Sequence, residues 1–255
     1  MKIKNFFLTL IGYFCKKSLR MTPPKPDFGK LLTDAYQYWV STLPFQFLFS
    51  VLYFSVTLFA GLYAFRYYGL FDEIQKFQSL LYTDSQAFLE KYEALMQTDN
   101  AVYFLQVMMV IKAIIFPLNI GFFKIYRKLD LEEKPVTGDL FAGYQGHYFF
   151  LFAFYALVWN VISSFLSIFT LLWIPMVLFV PALMFFRGFS YFRSFKISVQ
   201  IFLQNFILIV IASIVASFFS YSGFLLFFFG IFFTFPFWNA MIYVLYKNLV
   251  GNFEE

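Results

Sequence analysis

Residues that carry common kinds of protein chemistry are rare in this chain. Its 255 residues include one cysteine, Cys15, and one histidine, His147. A single cysteine excludes a disulfide framework and a paired-cysteine metal site. The sequence has no glycine-rich phosphate loop and no HExxH, GxSxG or CxxC motif, each of which would bring reacting or ligating groups together. We therefore expect no enzyme activity, no cofactor and no bound metal.

Charged residues are also scarce, at 13% of the chain, whereas 61% of the residues are hydrophobic. The mean hydropathy is +0.72. The long apolar stretches reach or approach the roughly 20 residues that cross about 30 Å of hydrocarbon, which excludes a soluble globular protein. Stretches such as VLFVPALMFF do not alternate between polar and apolar residues as barrel strands would. The predicted class is therefore an all-α polytopic membrane protein.

Six apolar stretches are predicted transmembrane helices: about residues 45–65, 102–123, 148–169, 171–186, 206–221 and 224–246. Most cations lie on one side of these stretches: seven precede the first, four lie from Lys124 to Lys134, three from Arg187 to Lys196, and Lys247 follows the last. Residues 66–100 instead carry more acids than bases. Because cytoplasmic loops are enriched in Lys and Arg, we expect both termini in the cytoplasm.

The chain is predicted to contain three tandem units, each an amphipathic helix on the cytoplasmic surface followed by a helical hairpin. The units comprise residues 27–130, 131–187 and 188–251, between a basic N-terminal interfacial segment (1–26) and a short tail (252–255). The segments FPLNIGFFKIYRKL, from Phe116, and FPFWNAMIYVLYKNL, from Phe235, align with a slip of one residue, so that Asn119 corresponds to Asn239. Units that enter from one side would be related by an axis along the membrane normal.

Prolines interrupt the second predicted transmembrane helix of every unit. They are Pro117 in the first unit, Pro175 and Pro181 in the second and Pro236 in the third. A proline removes one backbone hydrogen bond and frees the carbonyl four residues earlier. In lipid such a carbonyl needs another partner, so we expect these kinks to face protein, water or one another.

The amphipathic helix of the first unit has the clearest periodicity in the chain. Its apolar residues fall on one helical face: Phe28, Leu31, Leu32, Ala35, Tyr36, Trp39, Val40 and Leu43. Asp27 is predicted to cap the start of this helix, and Thr137 to cap the shorter helix of the second unit. In the third unit the predicted apolar face comprises Phe192, Phe195, Val199 and Phe202. The predicted interfacial anchors are Tyr36, Trp39, Arg127, Arg187 and Lys247.

Two other segments lie outside the hairpins. Residues 1–20 have a basic start and a short apolar middle, but Lys16, Lys17 and Arg20 stand where a signal-peptide cleavage site would be. We therefore expect an interfacial helix there. Residues 66–100 have apolar residues at helical spacing and predict a helical hairpin, or two helical extensions, on the far side of the membrane. This insertion either caps the first hairpin or docks a membrane-protein partner.

A candidate intramembrane polar site comprises Lys112, Asn119, Asn160 and Asn239. Lys112 is the formal charge nearest the middle of a predicted span, where a lysine costs on the order of 2.5 to 3.5 kcal/mol, so it indicates a functional site. Alternatively, its long side chain extends to the outer interface. Serines and alanines along the third and fifth spans favour close helix packing, or else a substrate path.

Four segments resemble a known family: FGKLLTDAYQYW, IPMVLFVPALMFF, RSFKISVQIFLQNF and FTFPFWNAMIYVLYKNLVG. They are similar to six-span bacterial membrane proteins related to the membrane domain of some glycerophosphoryl diester phosphodiesterases, including the YciC-like group. The resemblance covers about residues 27–251, apart from the insertion. It implies a six-helix fold in a bacterial inner membrane but no catalytic residues. Because no phosphodiesterase domain is present, it does not imply hydrolase activity.

Together these patterns predict a non-enzymatic membrane protein, either a scaffold or accessory subunit or a factor acting on envelope lipids. Its expected partners are the lipid bilayer and a membrane protein that contacts residues 66–100, but not nucleic acid. The alternative is a small carrier or channel with a midplane polar site around Lys112. A polar cavity that reaches the four candidate residues would favour transport, and a closed centre would favour a scaffold.

Overall fold

The computed structural model of the chain describes residues 26–166, 170–225 and 229–251, and every regular element in these ranges is a helix. The α-helices are α1 Phe28–Ser41, α2 Leu43–Tyr67, α3 Leu70–Phe77, α4 Leu80–Thr83, α5 Ser85–Met96, α6 Asp99–Ile115, α7 Pro117–Asp130, α8 Tyr148–Leu166, α9 Thr170–Met176, α10 Val180–Arg187, α11 Tyr191–Gln204, α12 Phe206–Ser222, α13 Ile231–Thr234 and α14 Phe237–Leu249. Two 3₁₀ segments are Thr137–Tyr144 and Gly223–Leu225. Residues 1–25 of the predicted N-terminal segment and the whole predicted tail, 252–255, lie outside the described residues.

The described residues include four helical stretches that are long and apolar enough to cross a membrane: Leu43–Tyr67, Asp99–Asp130, Tyr148–Phe165 and Phe206–Leu225. The all-helical class is therefore confirmed, and the stretches support a membrane protein. The predicted fourth and sixth spans are each divided into two shorter helices, α9 with α10 and α13 with α14. Neither pair contains a described helix of the required length.

The second helix of each predicted unit is broken near its middle. The first break is at Phe116, between α6 and α7, directly before Pro117. The third is at Phe235 and Pro236, between α13 and α14. In the second unit the break falls between Met176 and Val180. Pro175 and Pro181 flank this break on either side, so proline accompanies all three interruptions.

The half-helices that follow the three breaks form the centre of the molecule. Most side chains of α7 and α14, and the first part of α10, are buried. Helix α7 contacts both α10 and α14. The first helices of the predicted hairpins, α2, α8 and α12, surround this centre; α2 contacts α13 and α6, α8 contacts α6, and α12 contacts α14 and α9. Small buried residues of α12 permit its close contacts: Ala212, Ser213, Ala216 and Ser220.

The amphipathic segments of the second and third predicted units each pack on a half-helix of the preceding unit. The amphipathic helix of the first unit, α1, packs on a half-helix of the last unit. Helix α1 lies on α14, the segment Thr137–Tyr144 on α7, and α11 on α10. As predicted, Asp27 caps α1, because its Oδ2 accepts the Lys30 N–H at 3.1 Å. Leu31 and Ala35 form the buried face of α1.

One sequence prediction about these segments is wrong and another is confirmed only in part. Thr137 does not cap the second segment: the Asp139 carboxylate accepts the Val136 N–H at 2.9 Å instead, because a carboxylate in the first turn can satisfy this donor. On α11, Val199 and Phe202 of the predicted face are buried, but so are Ser194 and Ser198, whereas Phe192 is 82% exposed. Small serines allow α11 to approach the broken helix closely, and Phe192 is left on the outer surface.

The insertion between α2 and α6 is helical, as predicted, and consists of α3, α4 and α5. Helix α3 contacts α5. The insertion has a small hydrophobic cluster of its own, which also includes part of α6: Leu70, Phe77, Leu95 and Ala101. This cluster is distinct from the main core, so the insertion is packed as a separate layer at the end of the first hairpin.

Candidate functional site

A cavity of about 450 Å³ lies at the centre, where the three breaks converge. This volume falls in the range of about 300 to 1,000 Å³ that is typical of small-molecule sites. All six predicted spans contribute to its wall: Phe49, Tyr53, Phe116, Asn119, Ile120, Phe123, Tyr155, Trp159, Ile174, Val177, Leu178, Pro181, Ser217, Ser220, Tyr221, Phe235, Pro236, Trp238, Asn239 and Ile242. None of these lining residues is charged.

Aromatic rings on the first helix of each hairpin form much of the wall. Phe49 and Tyr53 on α2, and Tyr155 and Trp159 on α8, are four residues apart and therefore share a helical face. On α12 the corresponding wall has a smaller side chain, Ser217, four residues before Tyr221. The cavity is therefore apolar on most sides and has more space beside α12.

Apart from the tyrosine and tryptophan rings, the polar side chains of the cavity lie on two central half-helices and on α12. The Asn239 amide nitrogen donates to Asn119 Oδ1 at 3.2 Å, and the Asn119 amide nitrogen donates to the Phe116 carbonyl at 3.0 Å. The Ser220 hydroxyl is buried and has no hydrogen-bond partner among the described residues. The cavity thus presents uncharged hydrogen-bonding groups on one part of an otherwise apolar wall.

The structure brings together two of the four residues of the predicted polar site. Asn119 and Asn239 line the cavity and hydrogen-bond to each other. Asn160 on α8 does not line it, and Lys112 is exposed on α6. Among the predicted kinks, Pro181 and Pro236 line the cavity, whereas Pro117 and Pro175 are buried beside their breaks. The site therefore forms without Lys112.

Each amphipathic segment supplies a side chain to backbone groups beside one of the breaks. The Tyr144 hydroxyl donates to the Ile114 carbonyl at 2.8 Å. Trp39 Nε1 donates to the Phe233 carbonyl at 2.7 Å. These contacts satisfy carbonyls close to Pro117 and Pro236, where the regular helical hydrogen bonds are interrupted.

The break in the second unit is satisfied in a related way, although the interrupted residue is not proline. The Ser198 hydroxyl of α11 donates to the Met176 carbonyl at 2.7 Å and accepts the Phe179 N–H at 3.2 Å. One serine therefore provides a hydrogen-bond partner for both a carbonyl and an N–H at the break. All three amphipathic segments are thus joined to the helices that line the cavity.

A buried carboxylate joins the second amphipathic segment to α7. Asp139 contacts Lys124 Nζ at 3.0 Å and Lys128 Nζ at 2.8 Å, and its side chain is 3% exposed. Burial alone would raise the pKa of Asp139, but the hydrogen bonds from Lys128, the Val136 N–H and Lys124 outweigh burial and hold this pKa below its usual value. The carboxylate therefore stays ionised near neutral pH.

A second carboxylate joins the first amphipathic helix to α7 and α14. Asp130 accepts hydrogen bonds from the hydroxyls of Tyr38 and Tyr243, the latter at 2.6 Å, and from Lys247 Nζ at 2.8 Å. The rings of Tyr38, Tyr126 and Tyr243 lie 5.3 to 5.4 Å apart. Burial would lower the pKa of Lys247, but its bonds to Asp130 and Tyr38 raise it.

The predicted interfacial anchors have different surroundings. Trp39 and Lys247 make the contacts described above, while Tyr36, Arg127 and Arg187 are exposed. Sequence reasoning missed the aromatic wall and both carboxylates. The four-residue spacing of Phe49 with Tyr53 and of Tyr155 with Trp159 was a signal for the wall. Asp130 and Asp139 had no such signal, because their partners lie on other segments.

Comparisons of the chain with protein-family models, with curated proteins and with solved structures find no match. The resemblance to the YciC-like group therefore stays a prediction that rests on the sequence segments quoted above. The geometry of the central cavity is the basis for a functional proposal.

Proposed function

We propose that this protein is a non-enzymatic factor of envelope lipids that binds an apolar or amphiphilic molecule in the central cavity. The supporting observation is the wall of the cavity, in which aromatic and aliphatic side chains surround a small uncharged polar region. Such walls are typical of sites for apolar ligands with a few oriented polar contacts. A cavity at the centre is less expected of a scaffold with no ligand of its own.

The cavity wall also bears on the predicted alternative, a small carrier or channel. An ion or strongly polar solute that enters a low-dielectric site needs a compensating charge or many hydrogen bonds. None of the residues that line the cavity is charged, and Lys112 is exposed on the surface of α6. These observations favour a lipid-like ligand over an ion or a polar solute.

We further propose that the chain has six spans in three repeated units. Three observations of the described residues support this proposal: a break in the second helix of each unit, an amphipathic segment joined to each break, and a shared central cavity. The fourth and sixth spans would each consist of two half-helices, with the central breaks protected from lipid by neighbouring helices.

The proposed orientation, with both termini in the cytoplasm of a bacterial cell, can be tested with single cysteines in a Cys15→Ser background. Tyr82 in the insertion is 90% exposed, and Glu133 is exposed between α7 and α8. An impermeant thiol reagent should label Tyr82→Cys in spheroplasts, while Glu133→Cys should react only after lysis. The reverse pattern would refute the orientation.

We also propose a protein partner, a membrane protein that contacts the insertion. This proposal rests on exposed apolar side chains of α4 and α5. Leu81 and Leu89 are 49% and 57% exposed, a feature of interaction surfaces when it is clustered. Crosslinking in cells from a photoreactive residue at Tyr82 should give a discrete protein adduct. A lack of any adduct from Tyr82, compared with a site on α11 such as Phe192, would count against this partner.

The lipid-binding proposal is tested by filling the cavity. Ser217→Phe places a ring in the wall beside α12, and Ser164→Phe is a matched control at an exposed position of α8. Each variant is purified in mild detergent and its bound lipids are extracted and quantified by mass spectrometry. We expect the wild type and Ser164→Phe to retain the same lipid, and Ser217→Phe to lose most of it. Equal retention by all three proteins, with unchanged thermal stability, would refute the proposal.

A further inference from the structure

We infer that the cavity binds a neutral lipid in preference to a lipid with a phosphate headgroup. The neutral lipid carries a hydroxyl group, which lies next to the Asn119–Asn239 pair. This inference rests on the proposed function, because it specifies the ligand class of the same cavity. Its basis is the set of polar atoms that the protein leaves without partners in the wall.

The Asn119–Asn239 pair has hydrogen-bonding capacity left over. Its two hydrogen bonds use one amide proton of each residue and the Oδ1 atom of Asn119. The Oδ1 atom of Asn239 accepts no hydrogen bond from a described residue, and each amide retains one further proton. Asn239 is nevertheless 3% exposed, so a ligand in the cavity is a suitable partner for this oxygen.

The Ser220 hydroxyl is not a second group of this kind. It is buried and without a hydrogen-bond partner in the described chain, but it has almost no accessible surface, so a ligand in the cavity does not reach it. The Asn239 oxygen is therefore the acceptor that the ligand must satisfy. A lipid hydroxyl can donate to this oxygen and can also accept one of the free amide protons.

Charge distribution argues against a phosphate in the same place. The lysines that could neutralise an anion from inside the central half-helices are already paired: Lys124 and Lys128 with Asp139, and Lys247 with Asp130. None of them lines the cavity. An unpaired anion in an apolar site is strongly disfavoured.

Diacylglycerol and phosphatidic acid with identical brominated acyl chains provide a matched pair of probes, since they differ by one phosphate. Trp159 and Trp238 line the cavity, and bromine quenches tryptophan fluorescence at short range. Each probe is titrated into purified protein in nanodiscs of unbrominated lipid. The Ser217→Phe variant measures quenching from lipid outside the cavity, which is subtracted. We expect diacylglycerol to bind at least about tenfold more tightly than phosphatidic acid, because of the cost of the unpaired charge.

Two variants connect this preference to the asparagine pair. Asn239→Leu should weaken diacylglycerol binding about tenfold, and Asn119→Ala, which removes one of the free amide protons, by about threefold. Thermal unfolding confirms that each variant is folded; if Asn239→Leu is not, Asn119→Ala alone decides.

The outcomes separate the inference from the proposal on which it rests. Equal binding of the two probes, removed by Ser217→Phe, would overturn the selection of a neutral lipid but leave lipid binding intact. Diacylglycerol quenching that Ser217→Phe does not change would contradict both. Unchanged diacylglycerol affinity in the folded Asn119→Ala and Asn239→Leu variants would overturn the assigned polar contacts.

Discussion

The segment Thr137–Tyr144 and helix α1 each lie against a central half-helix, α7 and α14 respectively, but the two contacts are built differently. In the contact of Thr137–Tyr144 with α7, backbone atoms of the two segments pack directly against each other. A methyl group added at Gly121 would lie 2.1 Å from the Leu140 carbonyl oxygen, and one added at Gly143 would lie 2.2 Å from the Pro117 carbonyl oxygen. In the second, long side chains fill the interface. Trp39 packs edge-on against Phe219 and Phe237, with ring centroids 5.1 and 6.2 Å away.

This difference shows that one architecture can combine a rigid contact with an adaptable one. Backbone atoms in close contact have no rotamers with which to accommodate a change, whereas rings and long chains can repack. The contact of α1 also joins distant parts of the chain, since Trp39 and Phe233 are 194 residues apart. The first contact is therefore expected to be sensitive to small changes in volume, and the second to the loss of particular side chains.

The largest expected effect is that of Gly121→Ala. The added methyl group would overlap Leu140 backbone atoms, so α7 and the 3₁₀ segment would have to separate, at a cost of about 3 kcal/mol or more. Gly138→Ala is the matched control in the same segment, because nothing lies within 4 Å of a methyl group there. The free energy of unfolding is measured by titration with a denaturing detergent in mixed micelles. Similar stability of the two variants would mean that the backbones are not in close contact.

Asp139→Asn should have the next largest effect. It would leave Lys124 and Lys128 without their counter-charge, and we expect a loss of about 2 kcal/mol, less than for a fully buried pair because both lysines are partly exposed. The control is Asp72→Asn, at an exposed position of α3. A loss no greater than that of the control would show that the ion pairs do not stabilise the contact.

The same carboxylate predicts a pH dependence. The pKa of Asp139 is lower in the folded protein than its usual value, so its contribution to stability is complete above the unfolded pKa, about 3.9, and is lost as the pH falls through the folded pKa. The thermal unfolding midpoint of the wild type should therefore fall more steeply than that of Asp139→Asn below about pH 4. Parallel curves for the two proteins would contradict this assignment.

The residues of these two contacts show how far the sequence could predict the fold. The 3.6-residue period of α1 was sufficient to identify its helix, its cap and most of its buried face, because one side of that helix is apolar and the other polar. Tyr36 and Val40 of the predicted face are nevertheless exposed. The alignment of Asn119 with Asn239 likewise selected two residues that are hydrogen-bonded in the structure. Both inferences depend on local pattern, which is present in one sequence.

Other features could not be predicted because their causes are contacts between distant segments. The prediction for α11 correctly included Val199 and Phe202 but missed Ser198, since the reason for burying Ser198 is the free Met176 carbonyl on another helix. The candidate site included Lys112 because a charge in an apolar stretch is conspicuous, yet the cavity is formed by aromatic residues common throughout the chain. A composition rich in phenylalanine thus conceals which rings share a cavity.

The contact of α1 is tested by Trp39→Phe. This substitution keeps a ring at the interface but removes the hydrogen bond to the Phe233 carbonyl, which would be left without that donor beside the break. We expect a loss of about 1 to 2 kcal/mol in the free energy of unfolding. Tyr36→Phe is the control, because Tyr36 is 50% exposed on the same helix. If both variants were as stable as the wild type, the indole hydrogen bond would not contribute to the contact.

The smallest expected effect is that of Lys247→Met, which keeps the length of the side chain and removes its charge. Lys247 pairs with Asp130, but its side chain is 53% exposed, and exposed ion pairs contribute about 1 kcal/mol or less. The Asp130 carboxylate would also keep its hydrogen bonds from Tyr38 and Tyr243. The loss of stability should therefore be smaller than for Asp139→Asn and should decrease further in high salt. A loss as large as that of Asp139→Asn would mean that the contact of α1 depends on a single ion pair, and the adaptable contact would then be as sensitive to one substitution as the rigid one.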